Sequence, residues 1–270
     1  MAYTQSWGTP SPGHIVYLVD LSGSMENKID YTINALSSVF NSLVGFCAKG
    51  KTVAPRLTCT VIGYNYKAKV IWDNMPILEI AKKCVASRKN GMPIFDKNTE
   101  FKPEFQTCMR LAFDEAKKDI EKWIAKQKAA NMIIPAPIVI NITDGYPYEG
   151  DSKNWNQVSQ ETLASVRALM NIATPDGNVR VFNIHHDPKI NKTELLFPSN
   201  RPTNAAEQFL FDASSEIDDN TLKGTARLFN AEKGARYMVS NVKDPGLLNK
   251  LIEFGSLPVG GEKTSDGSYF

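Results

Sequence analysis

No stretch of this sequence approaches the ~20 consecutive apolar residues that a membrane-spanning helix needs. The first 13 residues are polar and turn-rich, without the basic start and apolar run of a signal peptide. A soluble, cytoplasmic protein is therefore expected, with no membrane partner. No CxxC pair occurs. Cys47, Cys59, Cys84 and Cys108 stand apart in apolar or helical contexts, which excludes a disulfide framework and a zinc ribbon and predicts buried free thiols. No long Lys/Arg run is present and the formal net charge is only +2, so neither nucleic acid nor an acidic polymer is implied as partner. Trp72, Trp123 and Trp155 have no basic neighbours suited to stacking bases. Missing too are a GxxxxGK[ST] phosphate loop and a nucleophile elbow. Ser22-Gly23-Ser24 looks superficially like a nucleophile turn, but nothing marks His14, His185 or His186 as its base.

What is present is a globular chain of 270 residues, 42% hydrophobic, long enough for one α/β domain with insertions. Apolar runs alternate with helical spacing. Strands are predicted at His14–Val19, Leu57–Gly63, Lys69–Trp72, Ile138–Ile142, Val179–Ile184 and Arg236–Val239. Helices are predicted at Lys28–Ala48, Phe101–Lys128, Val158–Ala173, Leu222–Phe229 and Asp244–Phe254. The run Ile138–Ile142, apolar but for Asn141, suits a strand buried on both faces. This alternation predicts an α/β, doubly wound, mostly parallel sheet with helices on both faces. Such sheets bind ligands at the carboxyl ends of their strands.

Two short motifs fall at those ends. Asp20-Leu21-Ser22-Gly23-Ser24 follows the first strand and offers a carboxylate and two hydroxyls on one tight turn. Thr143-Asp144-Gly145 ends the central strand and adds a second carboxylate. Hard cations prefer oxygen ligands, and an ion between two carboxylates relieves their repulsion. Alone, either motif also reads as a helix cap. Together, each after a strand, they point to a divalent-metal site.

The string Ile15–Met25 resembles the DxSxS metal-ion-dependent adhesion site (MIDAS) of von Willebrand factor A (VWA) domains, and Ile140–Gly145 resembles its later Asp-Gly element. The resemblance follows the order of strands and helices over most of the chain. It implies a Rossmann-like VWA fold, no enzymatic activity, and a site of Asp20, Ser22, Ser24, Thr99 and Asp144 holding Mg²⁺ (or Mn²⁺ or Ca²⁺). Thr99 stands for the family's middle-loop threonine, ahead of the expected Phe101 helix; Asp96-Lys97-Asn98 replaces the usual glycines. Thr107 would lie inside that helix. The implied partner is a protein that contributes an acidic residue to the metal. Asn183-Ile184-His185, Leu196-Phe197-Pro198, Phe211–Ser215, Gly234-Ala235-Arg236 and Phe254-Gly255 resemble bacterial cytoplasmic VWA proteins of the tellurite-resistance type. That narrower resemblance implies a signalling system whose phosphatase and serine/threonine kinase are candidate partners. The domain is expected over residues 14–255, with an N-terminal extension (1–13), an insertion (185–234) and a flexible tail (256–270).

Other residues near the motifs have plainer readings. His185 and His186 are adjacent on a strand and point to opposite faces, so they chelate one ion poorly. Glu149 and Asp151 are expected on a solvated loop, and Tyr146 and Tyr148 flank Pro147 beside the site. The alternative function is a Mg²⁺-dependent phosphoryl-transfer enzyme using Asp20, which lacks a recognisable second acid or lysine clamp.

Overall fold

The computed structural model describes residues 3–150, 154–187, 189 and 191–256. Asp151 and the tail beyond residue 256 lie outside the described residues.

A seven-stranded sheet forms the centre. Its strands are β1 (Gly13–Asp20), β2 (Leu57–Tyr64), β3 (Ala68–Pro76), β4 (Ile138–Thr143), β5 (Arg180–His186), β6 (Leu195–Leu196) and β7 (Met238–Val242). They lie side by side as β6-β7-β5-β4-β1-β2-β3. β1 runs parallel to β2 and β4, β4 to β5, and β5 to β7; the two edge strands, β3 and β6, pair antiparallel. The predicted α/β, doubly wound, mostly parallel architecture is thus what the chain adopts. From β1 the chain first builds outward through β2 and β3, then returns to start β4 on the other flank of β1. The strand order therefore reverses between β1 and β4, where such sheets form a ligand crevice.

β1 alternates between two cores. Ile15, Tyr17 and Val19 pack in one with α1 (Ile29–Cys47), α2 (Ile77–Asn90) and α7 (Pro245–Gly255); Val16 and Leu18 pack in the other with α3 (Met109–Ala129) and α4 (Trp155–Met170). This period of two, with both faces covered, explains why the strand reads as an unbroken apolar run. The last helix is pressed close to the sheet: a Cβ on Gly255 would sit 2.5 Å from Phe182 Cδ1, so only glycine fits there without a shift. Beyond it, Ser256 is fully buried, its hydroxyl 2.8 Å from that of Tyr17.

The helix predicted over Phe101–Lys128 begins later, at Met109. Its buried face is Met109, Ala112, Phe113, Ala116 and Ile120, spacing that starts at Met109. Residues 101–108 are a loop, and Phe101 is buried there against Phe95, ring centroids 4.4 Å apart. The sequence pattern does not announce α2, which buries only Ile77, Ile80 and Cys84 and leaves Leu78 and Val85 exposed, so its apolar residues mark no single face. The segment 185–234 holds β6 and two helices, α5 (Ala205–Asp212) and α6 (Asp219–Phe229). All four cysteines are buried thiols, none in a disulfide among the described residues, as expected. Among the described residues no helix is long and apolar enough to cross a membrane.

Candidate metal centre

Asp20 closes β1 and is fully buried. Its Oδ1 accepts from the Ser22 backbone N–H at 2.8 Å and its Oδ2 from the Thr143 hydroxyl at 2.6 Å. The turn after it is shaped by Gly63 of β2, where a Cβ would collide with Leu21 Cδ1 at 2.5 Å. Leu21 can therefore tuck beneath the sheet end while Ser22 and Ser24 face the rim. Ser22 Oγ lies 3.1 Å from Ser24 Oγ, and Ser24 Oγ donates to Asp144 Oδ1 at 2.8 Å. A chain of oxygens thus runs from one motif to the other across the β1–β4 crevice. Asp20, Ser22, Ser24 and Asp144 are brought together by it.

Thr99 is not tied into this group. It is exposed, and its hydroxyl donates to Asp96 Oδ2 at 3.0 Å within a local turn in which Asp96 also accepts from the Asn98 N–H. The neighbouring Lys97 pairs with Asp30 in the first turn of α1. The middle loop at the crevice is instead 104–108. Glu104 N–H donates to the Leu21 carbonyl, Gly23 N–H to the Phe105 carbonyl, and Cys108 N–H to the Asn65 carbonyl. Thr107 exchanges two backbone hydrogen bonds of 3.0 Å with Tyr148, joining this loop to the one after β4. Thr107 therefore does not lie inside a helix; it stands just ahead of α3, is 7% exposed, and its hydroxyl has no hydrogen bond among the described residues.

Electrostatics agree with a cation site. The Asp20 carboxyl is pushed up to about 6, first by burial and second by the nearby Asp144 charge, with hydrogen bonds from Thr143 and Ser22 opposing the shift. Two carboxylates in one dry crevice are costly without positive charge. Part of that charge is Lys28, whose ammonium lies 2.5 Å from Asp144 Oδ2 and 3.5 Å from Asp187 Oδ1. Among the described residues no three His, Cys, Asp or Glu side chains gather into a metal-holding group. Any ion here must accordingly draw on hydroxyls besides the two carboxylates. The donors are all oxygen, which fits a hard divalent ion and suits soft metals poorly.

No protein-family model and no curated protein sequence matches the chain. Solved structures do overlap it in part. Manganese-loaded TRAP protein from Plasmodium vivax is 19% identical with a TM-score of 0.39, covering 65% of this chain and 58% of its own. The ArnB paralog VWA2 from Sulfolobus acidocaldarius is 15% identical with a TM-score of 0.40, over 91% of this chain and 45% of its own. Proximal thread matrix protein 1 from the mussel byssus, with a zinc-occupied MIDAS motif, is 12% identical with a TM-score of 0.46, over 92% and 46%. This chain thus spans roughly half of each. At such similarity the site must stand on its own geometry.

Around the crevice, several residues take definite places. His185 Nδ1 accepts from the Asn241 backbone N–H at 3.0 Å, so its Nε2 carries the proton and donates to the Asp144 carbonyl at 3.2 Å. Burial pushes His185 below the usual histidine range, which keeps it neutral, and Tyr146 stacks on it, centroids 5.7 Å apart. His186 turns away, 2.8 Å from the Val242 carbonyl. Both ring nitrogens of His185 are thus engaged, and it fixes the backbone of the Asp144 turn. Glu149, expected in solvent, has a side chain only 7% exposed and paired with Arg110 of α3 at 3.3 Å. Phe105, which the sequence does not single out, is 83% exposed at φ +44 beside Gly23. A bulky residue held at positive φ with its ring in solvent is uncommon and costly. Tyr148, 46% exposed, lies on the adjoining loop.

Proposed function

We propose that this chain is a VWA-type, divalent-metal-dependent protein-binding module. Asp20, Ser22, Ser24 and Asp144 would hold the ion directly or through water, and Thr107 would take the middle-loop role assigned from sequence to Thr99. The observation that carries the reading is the oxygen chain from Asp20 to Asp144 across the β1–β4 crevice, at the switch point of the sheet. Mg²⁺ is the first candidate on donor chemistry, with Mn²⁺ or Ca²⁺ as substitutes. A carboxylate from a partner protein would complete the shell. Phe105 and Tyr148 give that partner an apolar landing beside the ion, the kind of aromatic surface enriched at interface centres. A kinase or phosphatase of a bacterial signalling system is the partner class to try first.

The phosphoryl-transfer alternative meets an obstacle at Asp20. Both its oxygens are engaged and the residue is fully buried, a poor setting for a nucleophile. Turnover of a phosphate ester that disappears in Asp20→Asn would nonetheless replace the binding reading with the enzyme.

Titration calorimetry with Mg²⁺ and Mn²⁺ tests the site. Thr107→Ala is expected to weaken metal binding by about tenfold or more, the scale seen when groups around a metal are removed. Thr99→Ala should bind like the parent. The reverse pattern would return the middle-loop role to Thr99. Capture of a partner should fail in EDTA, and Phe105→Ala should weaken it without changing metal affinity. A partner held equally well in EDTA would show that recognition uses another surface.

A further inference from the structure

Lys28 leads into α1 with a side chain only 12% exposed. Its ammonium is lodged on Asp144 Oδ2, while Ser24 already fills Asp144 Oδ1. The Asp144 side chain is itself 0% exposed, so water does not compete for either oxygen. A fixed cation therefore occupies one of the two carboxylates that the proposed metal site needs. The same ammonium is 3.5 Å from Asp187 Oδ1, just past the end of β5, and Asp187 is 22% exposed. A lysine head on a flexible four-carbon stem can swing between two such acceptors.

We infer that Lys28 is a tethered counter-ion that competes with the divalent metal for Asp144, and that Asp187 receives its ammonium when the metal enters. The inference rests on the metal-site reading above. It has two consequences. Without metal, Lys28 satisfies a buried carboxylate and keeps the crevice assembled. With metal, the ion must displace the ammonium and then tolerate a positive charge a few ångströms away, so affinity is held down and loading is sensitive to metal concentration. A partner carboxylate arriving at the ion would offset that repulsion, which couples metal retention to partner binding.

The test is calorimetry of Mg²⁺ and Mn²⁺ alone against the full chain, with melting curves in EDTA and in metal. Lys28→Met keeps the length and removes the charge. It is expected to bind metal about tenfold or more tightly than the parent, because a like charge has gone from low-dielectric surroundings. In EDTA it should melt below the parent, and saturating metal should reverse that order. Lys28→Arg keeps the charge and should stay within a few-fold of the parent. Asp187→Asn should weaken metal binding, and should do so less when Lys28 is already Met. If Lys28→Met is too unstable in EDTA to titrate, its metal affinity is read by chelator competition from the metal-loaded protein. A folded Lys28→Met that binds metal no better than the parent overturns the inference and leaves Lys28 as a support for Asp144. Absence of metal binding in the parent and in both lysine variants overturns the metal site itself.

Discussion

Asp20→Asn is expected to abolish the rise in melting temperature produced by Mg²⁺ or Mn²⁺, while making the metal-free protein more stable at pH 7 than the parent. The first half follows from linkage: an ion that binds only the folded state stabilises it, and an amide at this position no longer supplies the charge that holds the ion. The second half follows from the raised Asp20 carboxyl, moved from 3.8 to about 6 by burial and by Asp144. A carboxyl raised on folding contributes stability that is fully present below its unfolded value and is lost as pH rises through the folded value. Metal-free parent protein should therefore lose stability between about pH 4 and pH 7, on the order of 2–3 kcal/mol from this residue. Asparagine escapes that loss. Its Oδ1 can still accept from the Ser22 N–H, and its amide can donate to Thr143 Oγ1, whose own proton has the Gly145 carbonyl 3.0 Å away. Denaturant melts in EDTA at pH 4.5 and 7.5, for parent and variant, read the difference directly. A variant that keeps the metal increment would remove Asp20 from the proposed metal site, and one less stable than the parent at pH 7.5 would show that the buried Asp20 charge does not carry this cost. The expected exchange of stability for binding is usual where a site holds buried charge for function.

The pair Asp20 and Asp144 was legible because strand ends are legible. Ile15–Val19 is apolar without interruption and Ile138–Ile142 is broken only by Asn141, so the carboxylate that follows each run marks the rim of a parallel sheet. The middle loop is easily misplaced because Phe101 carries the apolar pattern eight residues too far toward the N-terminus. Phe101 is buried by a loop packing on Phe95, and burial alone does not distinguish loop from helix. The useful signals were Pro103 inside the expected helix and a helical period that starts at Met109. Thr99 suits the middle-loop ligand role only if a helix starts at Phe101; its hydroxyl donates to the Asp96 carboxylate. Edge strand β6 is only Leu195–Leu196, too short to show a period. Lys28–Asp144 joins residues 116 apart and Thr143–Asp20 residues 123 apart. No local pattern announces such pairs; only the crossover that sets β4 beside β1 creates them.

At the opposite end of β1, Asp119→Ala is expected to cost about 3–5 kcal/mol of stability and to leave the metal response intact. His14 opens β1, with Nδ1 2.8 Å from Thr58 Oγ1 and Nε2 2.8 Å from Asp119 Oδ2. Hydroxyl, imidazole and carboxylate follow one another as in a hydrolytic triad. The surroundings point to structure. His14 is 0% exposed and stacked on Trp123, ring centroids 5.0 Å apart, so no substrate atom can reach its ring. Asp119 Oδ1 is occupied as well, accepting from Thr60 Oγ1 at 3.0 Å and from Asn74 Nδ2 at 2.8 Å. One carboxylate of α3 thereby holds β1, β2 and β3 at their buried edge. Alanine leaves the buried imidazole and the Thr60 hydroxyl without their acceptor, each at a cost of ~1–3 kcal/mol, while the Asn74 amide keeps Asp73. Breaking a buried charged contact by deleting one partner costs about 3–5 kcal/mol. For a chain of this size that corresponds to a fall of roughly 5–9 °C in melting temperature. The site at Asp20 lies at the far end of the same strand, so Mg²⁺ should still raise the melting temperature of Asp119→Ala by as much as it raises that of the parent. Thr58→Ala should cost only ~1 kcal/mol, because it removes one hydrogen bond and no charge. An Asp119→Ala protein as stable as the parent would show that the network carries no weight, and esterase activity lost on Thr58→Ala would show that the three residues form an active site after all.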